Sequence, residues 1–312
     1  MIMKTIRFVL PVLLWLIAGC SKDDNPEKPY RLSGEEMDLS YGTDPMQAID
    51  IYTPEGYDRE TPIVFLIHGG GFIAGSRKDF SHVAQLFRDK GYIAVNIEHR
   101  LISTAGLLNQ PPLHRLSEVK VSDQVHDLAM AVNYVQEKAD QWGMGTKRLY
   151  MAGHSAGGTL AALYVQGQEN QNVRASGNFA GPVNLSLPDN LYQEQPNHEF
   201  WPAVKELLYR MSGAEVVMEN ASALKAISAT WIAHEHQPGK PNITIMSESN
   251  DADLHFEPYF STIEDAAGFH EQLLSYGTAS QYILMDTDHG FGRHPDDWSK
   301  AVEAVVTFFD KQ

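Results

Sequence analysis

Gly153-His154-Ser155-Ala156-Gly157 is the stretch whose residue types and spacing point most directly to chemistry. It has the form G-x-S-x-G, follows the apolar run Leu149-Tyr150-Met151, and leads straight into a helical pattern. A serine in this setting sits on a sharp strand-to-helix turn, with its hydroxyl held out at the end of a sheet. The flanking glycines are needed because the turn leaves no room for side chains. The helix N-terminus that follows favours developing negative charge. A second glycine-rich stretch, His68-Gly69-Gly70-Gly71, directly follows the apolar run Ile63–Ile67. Loops of this type aim backbone N–H groups at a tetrahedral oxyanion, which needs preorganised donors about 3 Å away. The donors expected here are the N–H groups of Gly70, Gly71 and Ala156, with His68 bracing the loop. Together the two stretches predict acyl transfer to a serine nucleophile.

Such a serine needs a base and a group that orients the base, in the chain order Ser, acid, His. Of the 13 histidines, His289 has the right place, after the strand-like run Gln281–Met285 and before the last helical pattern. His294 is the reserve, and the His154 side chain is expected to point away from the reacting centre. The acid should follow the preceding strand, Ile243–Met246, where Ser247 to Asn250 lead into Asp251-Ala252-Asp253-Leu254. Asp251 is the first choice and Asp253 the alternative; Asp288 adjoins the histidine on the wrong side. The carboxylate would fix the tautomer of His289 and stabilise its imidazolium. This chemistry requires no cofactor. His234-Glu235-His236 offers two imidazoles, but without a third ligand the stretch reads as a polar loop and no metal is expected.

These groups must be carried by regular elements. Short strands are expected at Met37–Tyr41 and Ala48–Tyr52, and Ile63–Ile67 has the unbroken apolar pattern of a strand buried on both faces. Further strands are expected at Tyr92–Ile97, Arg148–Ala152, Ser176–Ala180, Ile243–Met246 and Gln281–Met285. Helices are expected at Asp79–Lys90, Ser122–Gln141 with Ser122 as N-cap, Ala156–Val165, Phe256–Tyr276 and Asp296–Phe309. The alternation predicts an α/β chain with a mostly parallel central sheet and helices on both faces. Residues 182–241 break the rhythm with Pro, Asn, His and aromatics, and read as an inserted cap. Hydrophobic content of 43 % and charged content of 21 % are those of a globular protein. A net charge of −16 argues against nucleic acid as a partner.

The first residues read as an address. Lys4 and Arg7 precede the apolar run Phe8–Ala18, which is shorter than the ~20 residues of a membrane-spanning helix. The run ends Leu16-Ile17-Ala18-Gly19-Cys20, which resembles the lipobox of bacterial lipoproteins. That resemblance implies a signal peptide over residues 1–19 and a lipid anchor on Cys20. A polar, proline-bearing tether over residues 20–34 and a catalytic domain over 35–312 would follow. It implies a place at the cell envelope, and Ser21 at the next position favours the outer membrane. Cys20 is the single cysteine, which excludes an intramolecular disulfide and a cysteine-rich zinc site.

Asp50-Ile51-Tyr52-Thr53-Pro54, His68-Gly69-Gly70-Gly71-Phe72, Gly153-His154-Ser155-Ala156-Gly157-Gly158 and His289-Gly290-Phe291 occur in that order. The chain thereby resembles an α/β-hydrolase of the carboxylesterase type, near the hormone-sensitive-lipase-like and bacterial feruloyl/acetylxylan esterase-like groups. The resemblance implies a Ser155–His289–Asp251 triad, a small ester or acylated glycan substrate, and a two-step mechanism through an acyl-enzyme. It departs from the pattern at Arg100-Leu101, where a long polar segment up to Ser122 replaces an Ala-Pro-Glu stretch. Rival readings are an amidase or formamidase, a serine peptidase of the same fold, and a non-catalytic carbohydrate-binding lipoprotein.

Overall fold

The computed structural model describes residues 31–32, 34–167, 172–193, 201–253 and 261–312. The expected signal, Cys20 and most of the tether lie outside these residues. Eight strands follow in chain order: β1 Glu35–Ser40, β2 Ala48–Tyr52, β3 Ile63–Ile67, β4 Ile93–Ile97, β5 Leu149–His154, β6 Val173–Phe179, β7 Asn242–Ser247 and β8 Ser280–Met285. The helices are α1 Ser81–Asp89, α2 Val121–Trp142, α3 Ala156–Gln166, α4 Asp189–Gln193, α5 Trp201–Ser212, α6 Ala221–Lys225, α7 Ala229–Glu235, α8 Asn250–Asp253, α9 Thr262–Ser275 and α10 Asp297–Phe309.

The strands form one sheet in the order β1-β2-β4-β3-β5-β6-β7-β8. β2 pairs antiparallel with β1 and β4, and every pair from β4 through β8 is parallel. The alternation of side chains along β3 explains why an unbroken apolar run is needed. Ile63, Phe65 and Ile67 join a core with Leu128, Val132 and Val135 of α2 and Leu160 of α3. Val64 and Leu66 join the opposite core, with Val83 and Phe87 of α1 and Val302, Val305 and Phe309 of α10. Each such side chain, removed from water, stabilises the fold by about 1.5–3 kcal/mol.

Helix starts shift from the sequence reading: α1 begins at Ser81 rather than Asp79 and α10 at Asp297 rather than Asp296, and two others show why. α2 begins at Val121, because the Asp123 carboxylate accepts the Lys120 N–H at 2.9 Å and closes the first turn ahead of Ser122. α9 begins at Thr262, where the Ser261 hydroxyl accepts the Glu264 N–H at 3.2 Å. Its expected start, Phe256, lies outside the described residues. Between β6 and β7 the stretch 182–241 carries α4 to α7, with α5 packed on α2 and α7 packed on α3 and α9. The polar segment after Arg100 is bound to this layer by Arg210, which is fully enclosed. The Arg210 guanidinium donates to the carbonyls of Ser103 and Leu113 and to the Glu206 carboxylate, each at 2.7 Å.

Candidate active site

β3 and β5 are neighbours in the sheet, so the loops leaving their carboxyl ends, His68–Gly75 and Ser155, emerge side by side. Open α/β sheets bind ligands outside these strand ends. Ser155 has φ 52° and ψ −125°, a left-handed conformation that costs a non-glycine residue about 1–3 kcal/mol. The close approach of neighbouring backbone dictates the glycines around it. A Cβ on Gly157 would lie 2.3 Å from the Ile67 carbonyl, and one on Gly153 would lie 2.3 Å from the Gly157 carbonyl. The Ser155 N–H is anchored to the Phe179 carbonyl at 2.8 Å. The glycine loop touches the elbow: a Cβ on Gly69 would come within 3.1 Å of the Ser155 Cβ.

His289 follows β8, two strands beyond β6, and is brought back over the sheet to meet the serine. Its Nε2 lies 3.0 Å from the Ser155 hydroxyl. Three bonds secure this reach. The Ser247 hydroxyl, at the end of β7, donates to the Thr287 carbonyl at 2.7 Å. The Thr287 hydroxyl donates to Asp297 of α10 at 2.5 Å. His154 stands beside His289 rather than away from the serine, with its Nε2 2.7 Å from the His289 carbonyl. Burial, and then the neighbouring His289, push the His154 pKa down to about 4, so its ring is a neutral N–H donor at neutral pH. Burial also holds His289 below the ordinary histidine range, against the opposing pull of Asp253 and Asp288. The His289 ring is therefore neutral at pH 7.

The partner of His289 Nδ1 corrects the sequence reading. The side-chain oxygen of Asn250 lies 2.5 Å from Nδ1. Asp251 instead faces the start of α9, where it accepts the Ser261 hydroxyl at 2.6 Å and the Thr262 N–H at 2.8 Å. Asp253 meets His289, but accepts its backbone N–H at 2.9 Å rather than its ring N–H. The Ser249 hydroxyl, followed by that N–H, keeps the exposed Asp253 carboxyl below its ordinary range. The reason is helical geometry: successive residues of α8 diverge by about 100°, so only one of Asn250 and Asp251 can face the ring. Position after the strand, rather than side-chain charge, was the signal for Asn250, whose amide oxygen is also an acceptor. Asp288 accepts the Gly292 N–H at 2.9 Å, and the reserve histidine His294 sits near Asp286.

A buried charge cluster underlies the glycine loop and has no counterpart in the sequence reading. His68 Nε2 lies 3.1 Å from Glu98, and Arg77 pairs with both Glu98, at 3.2 Å, and Asp50, at 3.0 Å. Burial works against the Glu98 charge, but the bonds from His68 and Arg77 hold its carboxyl below the ordinary range. His234 and His236 are engaged elsewhere, with Tyr276 and with the Gln166 carbonyl. Among the described residues no cluster of three or more His, Cys, Asp or Glu could hold a metal.

A cavity of about 310 Å³ adjoins the site, lined by Gly69, Gly70, His154 and Gly290 with the rings of Phe80 and Trp298. A larger one, about 700 Å³, lies between Thr53, Tyr57 and Gly91. Gly91 precedes the start of β4, so that cavity is at the opposite end of the sheet from Ser155 and serves no part of this chemistry.

Among curated proteins, a probable isoprenylcysteine alpha-carbonyl methylesterase from Oryza sativa subsp. japonica is 26 % identical over 288 residues, covering 86 % of this chain and 62 % of its own. The isoprenylcysteine alpha-carbonyl methylesterase of Arabidopsis thaliana is 25 % identical over 136 residues, covering 44 % of this chain and 29 % of its own. The chain thus spans less than two thirds of these relatives' lengths. Among solved structures, a truncated carbohydrate esterase from gut microbiota superposes with a TM-score of 0.68 at 17 % identity, covering 91 % of this chain and 97 % of its own. Esterase 2 of Thermogutta terrifontis, phosphonylated by sarin, superposes with a TM-score of 0.64 at 22 % identity, covering 91 % and 96 %. These likenesses carry the fold, an α/β-hydrolase. The BD-FAE family matches residues 49–251, well over half of the chain, and the chain belongs to that family.

Proposed function

We propose that this protein is a serine hydrolase of carboxylic esters, with Ser155 as nucleophile and His289 as base. The observation that carries the reading is the 3.0 Å approach of His289 Nε2 to the hydroxyl of a serine held at positive φ on a strand-to-helix turn. His289 removes the Ser155 hydroxyl proton as the serine oxygen bonds to the ester carbonyl carbon. The resulting oxyanion is received by the N–H groups of Gly70, Gly71 and Ala156. Two features support those donors. The Gly158 and Thr159 N–H groups are taken by the Ser155 carbonyl, at 2.9 and 3.1 Å, leaving the Ala156 N–H at the mouth of α3. Gly70, at φ 121°, has Ala74 backbone where a Cβ would stand, so its backbone alone can face a substrate. When the tetrahedral adduct collapses, His289 gives its proton to the departing alcohol. Water then loses a proton to His289, attacks the acyl-serine, and releases the acid and the free serine hydroxyl.

The substrate reading is acetyl or feruloyl esters on glycans at the cell envelope, with the chain held by a diacylglycerol on Cys20. The N-terminal address and the likeness to a carbohydrate esterase support it. A fluorophosphonate should label wild type and not Ser155→Ala. A p-nitrophenyl ester series beside acetylated xylan then sets the acyl preference. Preference for long acyl chains with no release from xylan would move the substrate to lipids. Palmitate labelling that survives Cys20→Ala would remove the anchor.

A further inference from the structure

Asn250 and Asp251 belong to one hydrogen-bonded chain that ends on the catalytic serine. The Thr262 hydroxyl donates to Asp251 Oδ1. The Asn250 amide nitrogen donates to that same Thr262 oxygen at 2.7 Å. The Asn250 amide oxygen faces His289 Nδ1 at 2.5 Å, and His289 Nε2 faces the Ser155 hydroxyl at 3.0 Å. Asn250 and Thr262 are wholly enclosed and Asp251 is 4 % exposed, so water does not replace the bonds among these three.

The chemistry of the members fixes the direction of the chain. A carboxylate only accepts, so the Thr262 proton is committed to Asp251 and the Thr262 oxygen is left to accept. It accepts from the amide nitrogen of Asn250, and this turns the amide oxygen toward His289. An amide oxygen opposite Nδ1 requires a proton on Nδ1, which leaves Nε2 bare to take the serine proton. A flipped amide would aim its NH2 at Nδ1, put the ring proton on Nε2, and leave the base unable to act. We propose that Thr262 and Asp251 are positioning residues that select the working tautomer of His289 by forbidding rotation of the Asn250 amide. The proposal rests on the catalytic reading of Ser155 and His289.

The two ends of an amide differ, whereas the two oxygens of a carboxylate are alike. The relay should therefore matter with asparagine at position 250 and cease to matter with aspartate there. On p-nitrophenyl acetate, Thr262→Val should lower kcat about 10- to 100-fold with KM within about twofold, a fraction of the ~10⁴-fold loss that a fully wrong tautomer causes elsewhere. In the Asn250→Asp background the same change should cost less than about threefold, a coupling read from the double-mutant cycle. Thr262→Ser, which keeps the hydroxyl, should restore kcat. Asn250→Asp should also move the acid limb of the kcat/KM profile to higher pH, since a carboxylate beside Nδ1 favours the imidazolium. The unmodified protein gives an independent measurement: imidazole 15N shifts of His289 should report a proton on Nδ1.

An equal loss from Thr262→Val in both backgrounds would reduce Thr262 to a support for α9 and overturn the relay. So would a proton found on Nε2. Hydrolysis that survived Ser155→Ala would overturn the catalytic reading and the relay with it. Hydrolysis lost in Ser155→Ala but untouched by Thr262→Val would overturn the relay alone.

Discussion

Two pairs of histidine rings flank the glycine loop. His68 lies flat on His99, with ring centroids 4.6 Å apart, and His289 leans against His154 at 5.0 Å. Within each pair one ring has its pKa pushed down to about 4, mainly by burial: His99 in the first, His154 in the second. The other ring differs in what its nitrogens meet. His68 has the Gly69 carbonyl at 2.7 Å from one nitrogen and the Glu98 carboxylate at 3.1 Å from the other, so both nitrogens face fixed groups beneath the loop. His289 has an uncharged amide on one side and the serine hydroxyl on the other. The carboxylate thus stands against the ring that braces the loop, and the ring proposed to exchange a proton has an uncharged partner. A histidine–carboxylate pair near a catalytic serine is therefore insufficient to identify the base; which nitrogen is left for the serine decides it.

The largest effect that separates the pairs is catalytic. His289→Ala should lower kcat/KM by about 10⁴-fold or more, with little change in the urea midpoint. Retention of a tenth of the activity would break the contrast. The reverse pattern is expected beneath the loop. Arg77→Met strands the buried carboxylates of Asp50 and Glu98 and should destabilise the fold by about 3–5 kcal/mol in urea unfolding.

The ring with the depressed pKa in each pair sets a pH dependence. The pKa values of His99 and His154 lie below their unfolded values, so the unfolded chain binds protons that the folded rings refuse. Stability should be full above pH ~6.5 and fall toward pH ~4, with a slope approaching about 1.4 kcal/mol per pH unit for each ring. His99→Phe should flatten that slope, as urea titrations at pH 7 and 5 would show. The smallest expected effect is at the rim of the site. Asp253→Asn removes a charge that raises the His289 pKa, so the acid limb of kcat/KM should move to lower pH, and by less in high salt.

The strand Ile63–Ile67 is legible to the residue because both of its faces are buried and the apolar run starts and stops with the element; Ala48–Tyr52 is legible from its apolar residues on either side of Asp50. The meeting of Ser155 and His289 is legible too, since it depends on glycine spacing and chain order. Asn250 is not, because a search for carboxylates passes over an amide, and one residue of register in a helical turn decides which side chain reaches the ring. The Arg77–Glu98–Asp50 cluster is invisible for another reason. Its members lie on three separate segments: the packing of β2 beside β4, which continues into Glu98, sets Asp50 near Glu98, and Arg77 meets both from a third. Arg210 is hidden in the same way, its partners lying about a hundred residues earlier in the chain.

Arg210 also makes a reporter of opening. Proteases that cut after arginine need that side chain in their own specificity pocket, with the backbone around it extended. Here the guanidinium is fully enclosed, holds Ser103 and Leu113, and sits within α5. Cleavage after residue 210 can therefore occur only from molecules in which α5 and the 101–120 segment have parted. Where reclosing outruns cutting, the rate of that single nick measures the free energy of the parting directly.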